Sequence, residues 1–264
     1  MTILNNPFFS GFSITINELK VALVYMNAFK AIDEYGVDES KDTRRALKQL
    51  FEEHAVVIGD MNSTPFAIQK ELTTYGLVRQ MQRFPTYLFP AHNLQGAADI
   101  PCFDNAIWDS SRVMNLVAKP LVTLPLKITH NPRDLIKKLG LVSDHVPIEV
   151  KLEGKTIVAF NVADPLLWSQ YYPSAGQGFE LTLEAEEIRQ QKIFNILKGY
   201  ADDYDVIFLQ EVPAVLAETI KHAYPNAEVI DMQSSVELEH PSKLVLLDNS
   251  NKNKDTRINE AVRH

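Results

Sequence analysis

The sequence predicts a layered α/β fold, because short apolar runs alternate with helical segments over most of its 264 residues. Several of the apolar runs are hydrophobic at nearly every position, as in strands that are covered on both faces. Hydrophobic residues make up 45% of the chain, which is enough for a sizeable core. The predicted strands are Phe12–Ile16, Val21–Met26, Ala55–Ile58, Cys102–Trp108, Val146–Lys151, Thr156–Asn161, Val206–Leu209 and Leu244–Leu247.

Two helices are predicted from the spacing of their apolar residues. The first begins at an N-cap residue, Asp42 or Thr43, and keeps helical spacing as far as His54. The second runs from about Leu183 to Leu197. Each helix leads into a buried strand with a polar end, in the sequences AVVIGD and DVIFLQE. Ligand sites in layered α/β folds collect where strands end, so these polar ends are candidate site residues.

The segment VPIEVKLEGKTIVAFNV predicts two alternating strands joined by Glu153-Gly154, a dipeptide suited to a tight β-hairpin. From Asp248 to His264 the chain is polar and has no periodicity. We therefore predict one domain over residues 1–247, followed by a polar tail over residues 248–264 that makes few contacts.

The net charge of −8 and the sequence pI near 5.4 argue against a protein that coats nucleic acid non-specifically. They do not exclude an enzyme that meets phosphate through a bound cation, because the acidic residues that hold a cation also lower the pI. The single cysteine, Cys102, excludes an internal disulfide and is expected in the core. No secretory signal or membrane-spanning run is present in this sequence. We expect a cytoplasmic monomer, or one exported without a classical signal.

Four short polar motifs follow predicted strands, and each places carboxylate, amide or imidazole groups just past an apolar run. Carboxylate and amide oxygens are the ligands that a hard divalent cation prefers, and such a cation can activate water toward a phosphoester. The motifs are Gly59-Asp60-Met61-Asn62, Ser143-Asp144-His145, Phe160-Asn161-Val162 and Leu209-Gln210-Glu211.

Taken together, GDMN before Ser-Thr-Pro, SDHVPI, AFNV and VIFLQEV resemble the signature motifs of the endonuclease/exonuclease/phosphatase superfamily, which includes exonuclease III and deoxyribonuclease I. Phe103–Ile107 resembles the family strand that bears an aspartate, and Val24–Ala28 resembles the strand that bears a Tyr or a His. The resemblance implies a four-layered α/β sandwich, in which two packed mixed sheets are flanked by helices. It also implies hydrolysis of a phosphoester with Mg²⁺, for which Mn²⁺ is a possible substitute.

The order of the motifs differs from that of the family, because the motifs of Asn161 and Glu211 come last in this chain instead of first. A circular permutation explains this order, with the Glu153-Gly154 hairpin joining two strands that are the first and last of the family fold. The new termini would fall between Leu247 and Phe12. The alternative is an exchange of halves between two chains.

The resemblance assigns the catalytic roles to five of these side chains. Asp60 would position or deprotonate the attacking water, and Asn62 would hold a phosphate oxygen. His145 would pair with Asp104 and, when charged, stabilise the phosphate as negative charge builds. Asp144 would assist the metal or the water. Each has a structural alternative, such as a turn, a helix cap or a hydrogen-bonded core residue.

Glu211 is the expected principal metal ligand, assisted by Asn161 and Asp144. Tyr25 would contact the phosphate or the leaving group, and Asn27 competes for this role because the register is ambiguous by about one residue.

Substrate contacts are predicted more weakly for Asp164, which falls one position after a family residue that assists the metal, and for Arg79 and Arg83. The two arginines are interleaved with aromatic residues that could stack bases, or they belong to a loop that covers the core. These aromatic residues are Phe84, Tyr87 and Phe89. The histidines outside the motifs have no ligand spacing and are predicted to be structural or solvated.

The substrate that this pattern favours is nucleic acid, because Tyr25 and the GDMN-Ser-Thr-Pro run resemble exonuclease III-like enzymes. The alternative is a phosphatase or phosphodiesterase acting on inositol phosphates or phospholipid head groups. A different class of function, a catalytically inactive binding protein on the same scaffold, is also left open by the sequence.

Overall fold

The structure is a computed structural model, and it describes residues 1–26, 40–81, 86, 103–122, 136, 140–171, 179–232 and 241–249, without the side chains of 40–43, 168, 170 and 171. Within these ranges the chain forms two mixed sheets of six strands each and five helices. The predicted α/β class is therefore confirmed. None of the described helices has the length and apolar character needed to cross a membrane.

The first sheet is built by the N-terminal part of the chain, with the strand order β1-β2-β3-β4-β6-β5. Strands β3 and β4 pair in parallel, and the other neighbours are antiparallel. The elements are β1 (Thr2–Asn6), β2 (Phe9–Ile16), β3 (Leu19–Met26), α1 (Ser40–Glu53), β4 (Val56–Asp60), α2 (Pro65–Thr74), β5 (Gln80–Met81) and β6 (Asp104–Trp108).

The second sheet follows later in the chain and repeats the same arrangement, with the order β7-β8-β9-β10-β12-β11. Here β9 and β10 are the parallel pair. The elements are β7 (Leu116–Pro120), β8 (Ile148–Leu152), β9 (Lys155–Asn161), α3 (Pro165–Tyr171), α4 (Leu183–Asp203), β10 (Val206–Val212), α5 (Ala214–Ala223), β11 (Glu228–Asp231) and β12 (Lys243–Asp248). Each sheet thus carries one pair of neighbouring parallel strands, joined through helical segments, whose carboxyl ends lie on the same side.

The largest core cluster lies between the two sheets and draws on both of them. Phe12 of β2 meets Phe208 of β10 edge to face, with 6.1 Å between the ring centroids. The outer face of the first sheet packs on α1 and α2, and the outer face of the second packs on α4 and α5. The sheets therefore pack face to face, with helices on the two outer faces.

Two-residue hairpins connect β2 to β3 and β8 to β9. Glu153 and Gly154 have φ angles of 48° and 75°, and Leu152 pairs with Lys155, so the predicted tight hairpin is confirmed. The equivalent turn at Asn17 and Glu18 contacts it, because Asn17 Nδ2 donates to the carbonyl of Glu153 at 3.1 Å. Both turns lie at the far end of the sheets from the carboxyl ends of β3, β4, β9 and β10.

All eight predicted strands are present, although Cys102 itself lies outside the described residues. Both predicted helices are present as well, and α4 continues six residues beyond the predicted end at Leu197. The strands β1, β5, β7 and β11 were not predicted, because they are short or half exposed and have weak apolar patterns. Residues 250–264 of the predicted tail also lie outside the described residues.

Candidate active site at the strand ends

The carboxyl ends of the central strands of the two sheets meet at one place. Asp60 is the last residue of β4 and Asn161 is the last residue of β9, and both are fully buried. The amide Nδ2 of Asn161 donates to Asp60 Oδ2 at 2.9 Å and to Glu211 Oε1 at 3.0 Å. The structure therefore brings together the motif of the first sheet and the two motifs of the second.

A glycine before Asp60 is required by the close approach of β3 and β4. Gly59 has a φ of +141°, and a Cβ at this position would lie 1.9 Å from the carbonyl oxygen of Val24. The next peptide N–H, that of Asp60, donates to Gln210 Oε1 at 2.7 Å. Gln210 is fully buried in β10, so this bond ties the end of β4 to the second sheet.

Glu211 lies on a β-bulge, because the pairing of β10 with β12 shifts register between Leu209 and Val212. Its φ of +50° is uncommon for a residue with a side chain and costs on the order of 1 kcal/mol. Bulges of this kind redirect a side chain out of the regular alternation of a strand. The bulge is the local feature that gives Glu211 its place beside Asn161.

Asp104 and His145 form a buried pair, with 2.7 Å between Asp104 Oδ2 and His145 Nδ1. Thr86 holds the aspartate in place, because its Oγ1 accepts from the backbone N–H of Asp104 at 3.0 Å. Ser143 holds the histidine: its Oγ accepts from the N–H of His145 at 3.1 Å and donates to the carbonyl of Asn161 at 2.7 Å. The predicted pairing of His145 with Asp104 is thus present in the structure.

Three carboxyl groups of the site, those of Asp60, Glu211 and Asp144, hold protons more strongly than ordinary carboxyl groups. Burial, together with the negative charge of Asp104, raises the pKa of Asp60 to about 6. Burial, together with the charge of Asp60, raises the pKa of Glu211 to about 7. Burial likewise raises the pKa of Asp144. Since the charged forms are disfavoured in the protein alone, the cluster favours binding of positive charge.

His145 titrates in the opposite sense. Burial alone would lower its pKa, but the charge of Asp104 and the hydrogen bond to it, together with Asp60 and Asp144, raise that pKa well above its ordinary value. The charged form of His145 is therefore favoured beside the carboxylates, whose negative charge it partly neutralises.

Three groups of the site could hold a metal ion, because the ligand atoms of Asp60, Asp104 and His145 lie within 4.8 Å of one another. The 2.7 Å hydrogen bond already occupies Asp104 and His145, whereas Asp60 Oδ2 and Glu211 Oε1 share the same Asn161 donor. The carboxylate oxygens of the buried Asp60 and the half-buried Glu211 share one amide donor, and such a pair of oxygens suits a hard cation such as Mg²⁺.

Asn161 has a different orientation from the one that its predicted role as a metal ligand requires. Its Oδ1 accepts from the backbone N–H of Ala163 at 2.9 Å, so the amide nitrogen, not the oxygen, points to the carboxylates. To offer oxygen to a cation, the amide would have to rotate and lose this bond. In this arrangement Asn161 is a donor that bridges Asp60 and Glu211.

Tyr25 and Asn62 lie at the same end of the first sheet. Asn62 has a φ of +47°, its backbone N–H donates to Asp60 Oδ1 at 2.7 Å, and its Nδ2 donates to the carbonyl of Met26 at 2.9 Å. Burial and the charges of Glu211 and Asp60 raise the pKa of the Tyr25 hydroxyl well above its ordinary value. The structure therefore brings Tyr25 to the predicted site.

Two of the predicted substrate contacts make bonds within the protein. Asp164 caps α3, because its Oδ1 accepts from the N–H of Leu167 at 3.3 Å, and its Oδ2 accepts from Ser242 at 2.9 Å. Arg79 lies at the opposite end of β6, where it pairs with Asp109 at 3.1 Å and donates to the carbonyl of Phe51. Their role as substrate contacts stays a prediction.

Asn27 and Arg83, with the aromatic residues that follow Arg83, lie outside the described residues. His54 is structural, as predicted: it is buried, and its ring bonds Ser13 and the carbonyl of Leu50, each at 2.9 Å.

Thr86, Ser143 and Gln210 hold the site residues in place, and none of the three was predicted to have a role. Ser143 and Gln210 belong to the motifs that were singled out, and their position directly before a charged residue is the signal that could have identified them. Thr86 had no such signal, because its partner Asp104 is 18 residues away in the sequence.

Comparison with protein-family models gives no match for this sequence, and no curated protein matches it either. The functional assignment therefore depends on the geometry of the site and on the motifs that form it.

Proposed function

We propose that the chain is a Mg²⁺-dependent phosphoesterase of the endonuclease/exonuclease/phosphatase type. The observation that carries this proposal is the Asn161 amide, which bridges Asp60 and Glu211 from two different sheets. The buried Asp104–His145 pair lies beside it, with His145 contributing positive charge. A cation-binding carboxylate cluster next to a charged imidazole is what hydrolysis of a phosphoester requires.

Glu211 would be the principal ligand of the cation, with Asp144 as the second carboxylate. When bound, the cation supplies Lewis-acid polarisation of a phosphoryl oxygen and lowers the pKa of the attacking water. The raised pKa values of Glu211 and Asp60 support this assignment, because bound positive charge would relieve the repulsion between them.

The remaining chemistry belongs to side chains of the protein. Asp60 accepts the proton of the attacking water, and its backbone is fixed for this task by Gln210. His145, charged and oriented by Asp104, stabilises the negative charge that builds on the phosphate and can donate a proton to the leaving oxygen. Asn62 and Tyr25 orient the phosphate.

We further propose that the fold is a circularly permuted version of the family fold, with the junction at Glu153-Gly154. Two features support this. The hairpin joins β8 and β9 as neighbouring antiparallel strands, and the motifs converge in one chain despite their changed order. Since each sheet has the same strand order, the two halves can follow one another in either order without a change of packing.

The permutation can be tested by restoring the family order. A chain opened at Glu153-Gly154, with its present ends joined by a flexible linker, should fold and keep Mg²⁺-dependent activity. A matched chain opened in the middle of β9, at Val158, should not fold, because the break removes a central strand. Loss of folding in both chains would contradict the proposed junction.

The substrate that we propose is a nucleic-acid phosphodiester, and the acting unit is a monomer because one chain supplies every site residue. A panel of plasmid DNA, RNA, an abasic-site duplex, inositol phosphates and sphingomyelin, each with and without Mg²⁺, tests this directly. Cleavage of the nucleic acids supports the proposal, and turnover of the inositol phosphates or the lipid replaces it with the alternative substrate class. If no substrate is turned over, or if activity survives thorough chelation, the enzymatic proposal is wrong.

A further inference from the structure

The guanidinium of Arg189, on α4, uses all five of its N–H donors inside the protein. Two bonds of 2.7 Å go to the carboxylate of Glu186, one turn earlier on the same helix. The other three go to backbone carbonyls, those of Val142 at 2.9 Å, Val162 at 2.6 Å and Ala163 at 3.0 Å. Arg189 is 8% exposed and Glu186 is 6% exposed. No donor is left for a substrate, so the arginine acts on the protein itself.

Two of these carbonyls belong to the loop that follows Asn161. Ala163 has a φ of +60°, which is uncommon for alanine and must be held by its surroundings. Its carbonyl accepts from Arg189, and its N–H donates to Asn161 Oδ1 at 2.9 Å. The N–H bond fixes the orientation in which Asn161 Nδ2 reaches Asp60 and Glu211. The carbonyl of Val162, which accepts from Arg189, and the N–H of Ala163 belong to the same peptide unit, so Arg189 connects to the two carboxylates through that unit and the Asn161 amide.

The third carbonyl, that of Val142, belongs to the loop that carries His145. The next residue, Ser143, donates to the carbonyl of Asn161 and accepts from the N–H of His145. Arg189 thus contacts both loops of the second sheet that supply the site, at positions next to the groups that hold Asn161 and His145.

We propose that Arg189 is a positioning residue of the candidate active site, which fixes the Asn161 loop and the His145 loop relative to each other through their three backbone carbonyls. This inference deepens the proposed function and rests on it. Glu186 neutralises the buried guanidinium, and the ring of Phe179, with its centroid 5.6 Å from Arg189 Cζ, covers it. Lysine cannot replace the arginine, since an ammonium has three donors on one atom and no planar fork.

The test compares Arg189→Lys with Glu186→Gln. The lysine variant keeps the charge but loses the fork, so kcat should fall about 10- to 100-fold with KM within about 2-fold, as for a small misplacement of reacting groups. The glutamine variant keeps the three carbonyl bonds, so its kcat should stay within about 3-fold of wild type. Ile220→Val, a buried change on α5, is the control for modest loss of stability and should leave kcat unchanged.

A purely structural ion pair predicts a different pattern, in which both variants of the pair lower the melting temperature and neither changes kcat relative to Ile220→Val. That pattern would overturn the proposal. So would a loss of 10-fold or more in Glu186→Gln, and this outcome decides the matter even if Arg189→Lys does not fold.

A second readout does not depend on activity. In ¹⁵N-labelled, cation-free protein, Arg189→Lys should shift the side-chain NH₂ signals of Asn161 and the backbone amide signal of Ala163. Glu186→Gln and Ile220→Val should leave these signals in place. If the wild type turns over no phosphoester, the proposed function fails and the signals alone test the positioning role. If the signals do not move in Arg189→Lys, the positioning role is refuted even when the enzyme is active.

Discussion

Replacing Glu211 with glutamine should abolish activity and at the same time stabilise the cation-free protein. The glutamine keeps an oxygen that can accept from Asn161 Nδ2, now 3.0 Å from Glu211 Oε1. It removes a negative charge that the site tolerates poorly. A neutral amide binds a hard cation weakly, so Mg²⁺-dependent turnover should disappear.

The size of the stabilisation follows from the pKa of Glu211, which burial raises from 4.5 to about 7. At 1.36 kcal/mol per pH unit, holding this carboxyl ionised above pH 7 costs the folded state about 3 kcal/mol. The hydrogen bond to a neutral amide is weaker than one to a carboxylate by about 1 kcal/mol. The net gain of about 2 kcal/mol corresponds to about 4–8 °C in melting temperature for a chain of this size.

The sign of this effect depends on pH. The folded pKa is raised, so the penalty is absent below pH 4.5, grows between pH 4.5 and 7, and is fully present above pH 7. Thermal unfolding in EDTA at pH 8 should therefore show the glutamine variant melting higher than wild type, and the difference should vanish near pH 4.5. Millimolar Mg²⁺ at pH 8 should stabilise the wild type but not the variant.

Glu218→Gln is the matched control, because Glu218 is exposed on α5 and its removal should change the melting temperature little. Burial and nearby negative charge are predicted to disfavour ionisation of Glu211. If Glu211→Gln melts at or below the wild-type temperature at pH 8, and Glu218→Gln melts at the wild-type temperature, that prediction is wrong. The reasoning that assigns Glu211 to a cation would then fail.

Three further outcomes are expected. His145→Ala and Asp104→Asn should each lower kcat by about 10³-fold, and the double variant should lose no more than either, since the two side chains act as one unit; additive losses would refute the pairing. Apparent Mg²⁺ affinity, measured by titration calorimetry, should weaken as pH falls from 8 to 6, because protons compete for Glu211 with its pKa of about 7; a constant affinity would count against this ligand. Burial lowers the pKa of His54, so stability should be lost as pH falls below 6.5 in wild type but not in His54→Asn; identical acid profiles would contradict this.

Much of the fold could be predicted from the sequence, because the central strands are apolar and the turns contain residue types that favour tight turns. The strand ending at Asp60 and the Glu153-Gly154 turn are examples. Edge strands such as β7 could not be predicted, since their half-exposed residues alternate weakly. The duplicated sheet topology was also not apparent, because it is a property of pairing and leaves no repeated residues that are easy to see.

Glu211 and His145 could be predicted as candidate site residues, because a carboxylate or an imidazole just after an apolar strand is typical of a site that binds metal or phosphate. Asp164 and Arg79 show that the same residue types also make contacts within the protein. An aspartate after a strand serves equally well as a helix cap, and a buried arginine serves equally well as an ion-pair partner. The positioning role of Arg189 could not be predicted at all. It depends on hydrogen bonds to backbone carbonyls, and these carbonyls come close to Arg189 only in the folded chain.

The division of the strands between the two sheets has a consequence for folding. Every strand of the first sheet precedes every strand of the second, so each sheet can close through contacts within its own half of the chain. The bond from Asn161 to Asp60 spans 101 residues, and the bond from Asp60 to Gln210 spans 150. Such long-range contacts carry the largest loop-closure cost and form late. During refolding, the secondary structure should therefore recover first, and catalytic competence should return only when the finished sheets dock.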